Sequence, residues 1–313
     1  MRVSTSMVFA QGLSNLQQQQ SAMLQSQQEI ATGVKLTNPA QDPVAFSTAS
    51  DLSVLNSKQN QYSTNIDNAT GKIQVQESTL GSITTMLQSV RDVAIQANNA
   101  AQNGTSLSAL TDQLDQLQKA LAGQMNATDE RGEYLFSGTA AREKPYDASG
   151  QLNPALDSTS PSFQNVTSVK LAISDQQSVA INQPAGQIFQ LSSSATTGGN
   201  ASILQVIDQL KTAITTQPAN LQTIYQNAQK DIDAVMNQVT DARGSMGNAL
   251  NTLSTAKNDN AAQNVLTQQT LSGLRDTDVA SAITKLNQSY LNLQATQQSM
   301  VKIQSLSLFN YIR

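Results

Sequence analysis

Residues 9–34 read FAQGLSNLQQQQSAMLQSQQEIATGV and residues 279–307 read VASAITKLNQSYLNLQATQQSMVKIQSLS, and these two stretches decide the fold. In each stretch, apolar side chains and glutamines recur at alternating spacings of three and four residues. This repeat is typical of helices that lie along other helices, where each side chain fills a hole in the facing helix. The sequence therefore predicts that both terminal segments form coiled-coil helices and that the two ends of the chain meet.

The repeat defines the candidate contact residues of each terminal segment. They are Phe9, Leu13, Leu16, Gln20, Met23, Gln27 and Ile30, followed by Ile283, Leu286, Tyr290, Leu293, Gln297 and Met300. Glutamine in such a position weakens a helix pair but specifies its register. We therefore expect these residues to pack against other subunits, and residues 1–40 and 275–313 to be largely disordered in the free monomer. The alternative is that both stripes form one face of an ordinary intramolecular bundle.

The middle of the chain contains a longer stretch of regularly spaced apolar residues, followed by a segment of different composition. Helical spacing runs from Leu52 to Ala97 after Asp42 and Pro43, which read as a helix N-cap and first turn. Residues 132–199 instead contain prolines, glycines and short β-branched runs. The sequence predicts a mainly α fold, in which both chain ends form a long coiled-coil-like helical rod and a small β-rich outer domain is inserted in the middle. The predicted domains are a terminal coiled-coil inner domain of residues 1–42 and 275–313, a helical rod domain of residues 43–131 and 200–274, and a β-rich outer domain of residues 132–199.

Composition excludes several kinds of catalysis. The chain of 313 residues has no histidine and no cysteine. It therefore has no imidazole base, thiol nucleophile, disulfide or metal centre built on either residue. Nothing in the sequence indicates two carboxylates facing each other across a cleft, as sugar hydrolysis requires. We expect no enzymatic activity, no cofactor and no bound metal.

Charge is sparse and uneven along the chain. Charged residues make up 13% of the sequence, against roughly 25% in an average soluble domain. The formal net charge is −4, and the acidic excess lies between the two terminal segments. Surfaces that become buried between subunits avoid charge, because an unpaired buried charge is costly. The few scattered cations predict no nucleic-acid binding, and the lack of a long apolar run predicts no membrane insertion.

Several short motifs resemble those of the flagellin family, and in particular its hook–filament junction members. They are MRVST at 1–5, IATGVKL at 30–36, NPAQDPV at 38–44, GEYLFSG at 132–138, LNQSY at 286–290 and SLSLFNY at 305–311. Together these motifs cover both chain ends and the entry to the predicted outer domain, whereas the rest of that domain matches only loosely.

The resemblance implies a structural protein of the extracellular bacterial flagellum. It implies a homo-oligomeric ring in the axial structure, between a first hook–filament junction protein and the flagellin filament. It also implies secretion through the flagellar type III export channel without cleavage, and residues 1–5 lack the apolar segment of a cleaved signal. An export chaperone is expected to hold the C-terminal segment. The candidate docking residues for a chaperone or another partner are Leu306, Leu308, Phe309 and Tyr311.

Two other structural functions share this pattern. A flagellin filament subunit has the same architecture, but the opening motif and the segment 134–138 favour the junction member. A needle-tip or translocator protein of a secretion system also combines coiled coils with uncleaved export. Such a protein usually has an apolar membrane-inserting segment, which is absent from this sequence.

Overall fold

The structure, a computed structural model, describes residues 5–99, 104–157 and 166–311, with side chains described for residues 7, 10–99, 106–157 and 166–302. The helices are α1 (Thr5–Thr32), α2 (Pro43–Asn99), α3 (Gly104–Met125), α4 (Ala185–Ile188), α5 (Ile203–Thr216), α6 (Leu221–Arg275) and α7 (Val279–Tyr311). The strands are β1 (Lys170–Ala172), β2 (Ser178–Ala180), β3 (Gln190–Leu191) and β4 (Ala201–Ser202). The predicted mainly α fold with an inserted β-containing segment is confirmed.

The chain divides into two compact units, one formed by residues 1–58 and 262–313 and the other by residues 59–261. Helices α2 and α6 contribute residues to both units. The predicted division into three domains stays a prediction.

The core of the unit 59–261 is built on the stripe that the sequence predicts along α2. The residues of that stripe from Ile66 to Ala97 that carry apolar side chains are buried, in the predicted phase. On α6 the buried face of this unit runs from Tyr225 to Leu253. Ion pairs join the two helices along their length: Asp67 with Lys257 at 2.8 Å, Glu77 with Arg243 at 2.6 Å and Arg91 with Asp233 at 3.4 Å. These pairs show that α2 and α6 lie antiparallel, and they fix the register of the two helices.

In its described residues, the inserted segment forms only short strands and one short helix, and aromatic side chains and bonds to α2 hold it together. Strands β1 and β2 form one antiparallel pair, and β3 and β4 form another. The ring of Phe189 makes edge contacts with Phe136 at 5.3 Å and Tyr146 at 6.5 Å between centroids. The buried Gln76 of α2 donates to the carbonyls of Leu135 (3.2 Å) and Ile181 (3.1 Å). The side-chain amide of Gln76 therefore bonds two separate parts of the inserted segment to α2.

A buried carboxylate organises the loop that closes the insert. Asp231 on α6 is 3% exposed and accepts hydrogen bonds from the Ser194 hydroxyl at 2.7 Å and from the backbone N–H groups of Ala195 and Thr196, each at 2.9 Å. These donors supply the polar partners that a buried carboxylate requires.

In the unit formed by residues 1–58 and 262–313, the terminal helices α1 and α7 pack along each other. This differs from the expectation that both ends lack structure in an isolated chain. The physical reason is that each helix supplies an antiparallel partner for the other, and a partner offsets the cost of ordering an amphipathic helix.

Candidate assembly interface

Two segments link the terminal helices to the long helices: residues 33–42 join α1 to α2, and residues 276–278 join α6 to α7. We call them the links, and hydrogen bonds connect them. Gly33 ends α1 in a left-handed conformation with φ of 70°, which glycine adopts without a steric penalty. The Lys35 N–H donates to the Arg275 carbonyl at 2.8 Å, and the Thr277 N–H donates to the Gly33 carbonyl at 2.9 Å. The Lys35 ammonium also donates to the carbonyl of Gly273 at 2.8 Å, where it satisfies the C-terminal end of α6. These three hydrogen bonds join the first link to the second link and to the end of α6, where the links cross.

Carboxylates cap the helices that leave this crossing. Asp42 accepts from the N–H groups of Val44 and Ala45 at 3.1 and 2.9 Å, with Pro43 in the first turn, so the predicted cap is confirmed. Asp278 accepts from the N–H of Ala280 at 3.0 Å and caps α7 in the same way. Each cap satisfies backbone donors that the first turn of a helix leaves without a partner.

Helices α1 and α7 are antiparallel and meet along a seam of six positions on each helix. Near one end, a Cβ built on Gly12 would lie 3.9 Å from Sδ of Met300, and near the other end Val34 forms a β-bridge with Asp276. The seam positions, buried or half-buried, are Gly12, Leu16, Gln19, Met23, Ser26 and Ile30 on α1, and Ala282, Leu286, Ser289, Leu293, Thr296 and Met300 on α7. Small or polar residues thus alternate with large apolar ones along the seam.

Six of the thirteen predicted contact residues belong to this seam within the chain, and their packing against other subunits stays a prediction. The six are Leu16, Met23, Ile30, Leu286, Leu293 and Met300. The other predicted positions with described side chains are exposed, and we call them the outer stripe: Leu13, Gln20, Gln27, Ile283, Tyr290 and Gln297. Leu13 remains 42% exposed, Ile283 45% and Tyr290 53%. The side chains of Phe9, Leu306, Leu308, Phe309 and Tyr311 lie outside the described residues.

The outer stripe forms one face of the helix pair. Each of its members follows a seam residue by one position, which turns it by about 100° around the helix axis. Because α1 and α7 run antiparallel, this same offset directs both sets of side chains to the same side of the pair. The sequence repeat identified the large apolar residues of the seam but missed Gly12, Ser26, Ala282 and Ser289, whose small side chains allow close approach without an apolar signal.

A cavity of about 790 Å³ in the unit 59–261 offers a second candidate site, between α3, α5 and the start of the insert. Three of its charged groups bond to one another, since Asp115 accepts from Lys119 at 2.7 Å and from Lys211 at 2.8 Å. Hydrogen bonds from these two ammonium groups lower the pKa of Asp115 to about 2. A carboxylate held this firmly in its ionised form is unsuited to proton transfer near neutral pH.

The described part of the chain contains no group of three or more acidic residues placed to hold a metal ion. Within that same part, no helix has the length and apolarity needed to cross a membrane. The outer stripe is the candidate site, because it places three large, partly exposed side chains and three glutamines on one face of the helix pair.

The fold and the paired termini define an α-helical protein that resembles the axial proteins of bacterial flagella. Residues 3–141 match the bacterial flagellin N-terminal helical region, and residues 229–312 match the bacterial flagellin C-terminal helical region. Because these two regions together account for more than half of the chain, the chain belongs to the bacterial flagellin family.

Within this family, the chain is similar over its full length to hook-associated proteins. It is 26% identical to flagellar hook-associated protein 3 of Salmonella typhimurium, with 100% of both chains covered, and 25% identical to that of Escherichia coli, with 99% of both covered. The flagellin of Bacillus subtilis matches at 22% identity over 96% of each chain. The predicted resemblance to junction members is confirmed, and assignment as a junction member is favoured over assignment as a flagellin.

Solved structures share the fold. A putative flagellar hook-associated protein from Vibrio parahaemolyticus superposes with a TM-score of 0.64 at 21% identity, over 75% of this chain and 100% of that one. The flagellar junction protein FlgL from Legionella pneumophila gives a TM-score of 0.55 at 15% identity, over 73% and 100% of the two chains.

Proposed function

We propose that this chain is a non-enzymatic structural protein of the extracellular bacterial flagellum, located where the hook meets the flagellin filament. In this proposal it forms a homo-oligomeric ring, with a first junction protein on its hook side and flagellin on its filament side. Full-length similarity to hook-associated proteins supports the location. The structural observation that supports the assembly function is the exposed outer stripe.

The composition of the outer stripe suits a contact between subunits. Its three large apolar or aromatic members are each between 42% and 53% exposed, and its other members are uncharged glutamines. Burial of the apolar side chains stabilises association, and a glutamine can donate and accept hydrogen bonds across an interface. A face that lacks charge can be buried without the penalty of an unpaired ion. In this proposal the terminal helix pair forms the inner layer of the ring and packs there against neighbouring copies.

Export is part of the proposal. The chain leaves the cell by the flagellar export route with its N-terminus intact, and an export chaperone holds residues near the C-terminus beforehand. Leu306, Leu308, Phe309 and Tyr311 are the proposed docking residues, because they place large apolar and aromatic side chains close together in the sequence, and such side chains can anchor an interface.

Two adjacent glutamines provide a matched test of the interface. Gln297 belongs to the outer stripe, whereas Gln298 lies one residue further around the helix, away from the seam, and both are exposed. The variant Gln297→Glu places a charge in the proposed contact and should reduce the amount of chain retained on isolated flagella at least tenfold, because an unpaired charge becomes buried. Gln298→Glu should leave retention within a factor of two. Equal retention of the two variants would show that the outer stripe is not part of the interface.

The location is tested by labelling. In cells that lack their own copy and express this chain, antibody against it should mark a single band between hook and filament. Label along the whole filament would favour the flagellin alternative, and label absent from flagella would refute an axial role.

A further inference from the structure

A pocket opens beside the first turns of α2 in the unit formed by residues 1–58 and 262–313. Its volume is about 460 Å³. The α2 residues in its lining are Phe46, Ala49, Ser50 and Ser53. The other lining residues are Thr32 at the end of α1, Val34, Leu36 and Thr37 in the link that follows, and Arg275 at the end of α6. Arg275 is exposed, and no ion pair to it is found among the residues that the structure describes. The pocket therefore combines apolar side chains and hydroxyl groups with a cation that has no ion-pair partner among the described residues.

The same turns of α2 carry complementary groups on their other flank. Asp51 is exposed, Leu55 is 40% exposed, and Val54 beside them is 67% exposed. At about 100° per residue, Asp51 and Leu55 point roughly 170° away from the mean direction of the four α2 residues in the pocket. An apolar side chain with a carboxylate one turn away thus lies on the opposite side of the helix from a partly apolar pocket with a cation, at the same level of α2.

We infer that this pocket receives the Asp51–Leu55 flank of a second copy of this chain, with the carboxylate of Asp51 directed to the guanidinium of Arg275. This inference rests on the proposed function, since it names a lateral contact by which copies form the ring. A contact between two different surfaces of identical subunits is heterologous, and it closes into a ring or continues as a helix, depending on the rotation between copies. Opposite flanks of a single element have the placement that such a repeating contact requires.

Charge complementarity is what selects a second copy as the occupant. The pocket has apolar side chains that can contact an aliphatic group and a guanidinium that can pair with a carboxylate. The Asp51–Leu55 flank supplies both on one helix face, because residues four apart are neighbours on a helix. The carboxylate and guanidinium can form the bidentate hydrogen bonds that this pair favours.

Cysteine cross-linking tests the contact directly, because the chain has no native cysteine. The double variant Ser50→Cys with Leu55→Cys places one thiol in the pocket and one on the opposite flank. Residues five apart on a helix are too distant for a disulfide within one chain. The control is Ser50→Cys with Ser57→Cys, in which both thiols lie on the pocket side of α2. Flagella carrying each variant are isolated, oxidised with copper phenanthroline and analysed by non-reducing electrophoresis.

The Ser50/Leu55 variant should give a ladder of dimers, trimers and larger species, whereas the control should give no species beyond a dimer. Flagella assembled from a mixture of the two single variants Ser50→Cys and Leu55→Cys should give the dimer. This dimer would show that the cross-link reports the contact between subunits and not a folding defect of the double variant. In the ladder variant, Asp51→Lys or Arg275→Glu should reduce cross-linking about two- to fivefold, as expected for a partly exposed ion pair. Combining the two reversals should restore it.

The outcomes distinguish this inference from the proposed function. Flagella that retain the chain but show the same species for the ladder and control variants would overturn the lateral contact and leave the junction function intact. Failure of the unmodified chain to be retained on flagella would overturn both. Loss of cross-linking with either charge reversal, without recovery in the combined variant, would refute the pairing of Asp51 with Arg275.

Discussion

Replacing Tyr290 by alanine should weaken the association of subunits without changing the free energy of unfolding of the free chain. Tyr290 lies in the outer stripe and is 53% exposed. A tyrosine side chain buries roughly 200 Å² when fully enclosed, so about 100 Å² is available for burial by another subunit. At about 25 cal/mol per Å² this area corresponds to about 2.5 kcal/mol, and about 2 kcal/mol when the polar hydroxyl is allowed for. We therefore expect Tyr290→Ala to weaken subunit association about 30-fold.

The matched control is Leu293→Ala, one turn further along the same helix. Leu293 lies in the seam with α1, where it is half-buried. Its truncation should lower the free energy of unfolding of the free chain by about 1–2 kcal/mol, somewhat less than for a fully buried leucine. Tyr290→Ala should change that quantity by less than about 0.5 kcal/mol.

The assay has two parts, thermal unfolding of the purified chain and the ratio of flagellum-bound to shed protein in cultures. Tyr290→Ala should change the ratio and leave unfolding nearly unaltered. A large loss of stability in the free Tyr290→Ala variant, with an unchanged ratio of bound to shed protein, would refute the assignment of this residue to a contact between subunits.

Three further predictions concern the framework that holds the interface. Gly33→Ala should destabilise the crossing of the links by about 1–2 kcal/mol because φ at this position is 70°, and hydrogen exchange at Lys35 and Thr277 should accelerate; unchanged exchange would contradict this. Asp231→Ala should lower the free energy of unfolding by about 3 kcal/mol because three donors lose a buried acceptor, whereas a loss below 1 kcal/mol in chemical denaturation would argue against its role as an anchor. The pKa of Asp115 is lowered from its ordinary value of 3.8 to about 2, so its contribution to stability is present above pH 4 and is lost as pH falls towards 2. Asp115→Asn should therefore reduce the difference in melting temperature between pH 5 and pH 2.5, and an identical acid sensitivity in the variant would contradict the assignment.

The long helices were predictable because their periodicity reports burial directly. Along α2, the spacing that begins with Ile66 and ends with Ala97 keeps one face turned to the core, and the structure buries that face in phase. The cap at Asp42 was also predictable, because an acidic residue before a proline satisfies local backbone donors. These features depend on neighbours within a few residues.

The terminal repeat was predictable only in part. It marked Leu16 and Leu293 as helix-packing positions, and they lie in the seam within the chain, whereas their expected packing against other subunits stays a prediction. A repeat of 3.5 residues gives the direction of an apolar face and not its width. The helix pair meets on the flank that carries Ser26 and Ala282, where small side chains permit close packing. Leu13 and Tyr290 are consequently left on the other flank, which a search for large apolar residues does not distinguish from the first.

The inserted segment was least predictable because its stabilising contacts are distant in sequence. Strands β3 and β4 contain two residues each and pair across a loop. The anchors of the segment, Gln76 and Asp231, lie on helices α2 and α6, far from the residues that they bond. No local composition signal marks a glutamine or an aspartate for such a role.

The most direct test of the account is an electron cryo-microscopy map of isolated hook–filament junctions that contain this chain. The account predicts a ring of identical copies in which Ile283 and Tyr290 contact a neighbouring subunit within about 4 Å. A map in which these side chains face solvent, while α1 and α7 pair with each other alone, would contradict it.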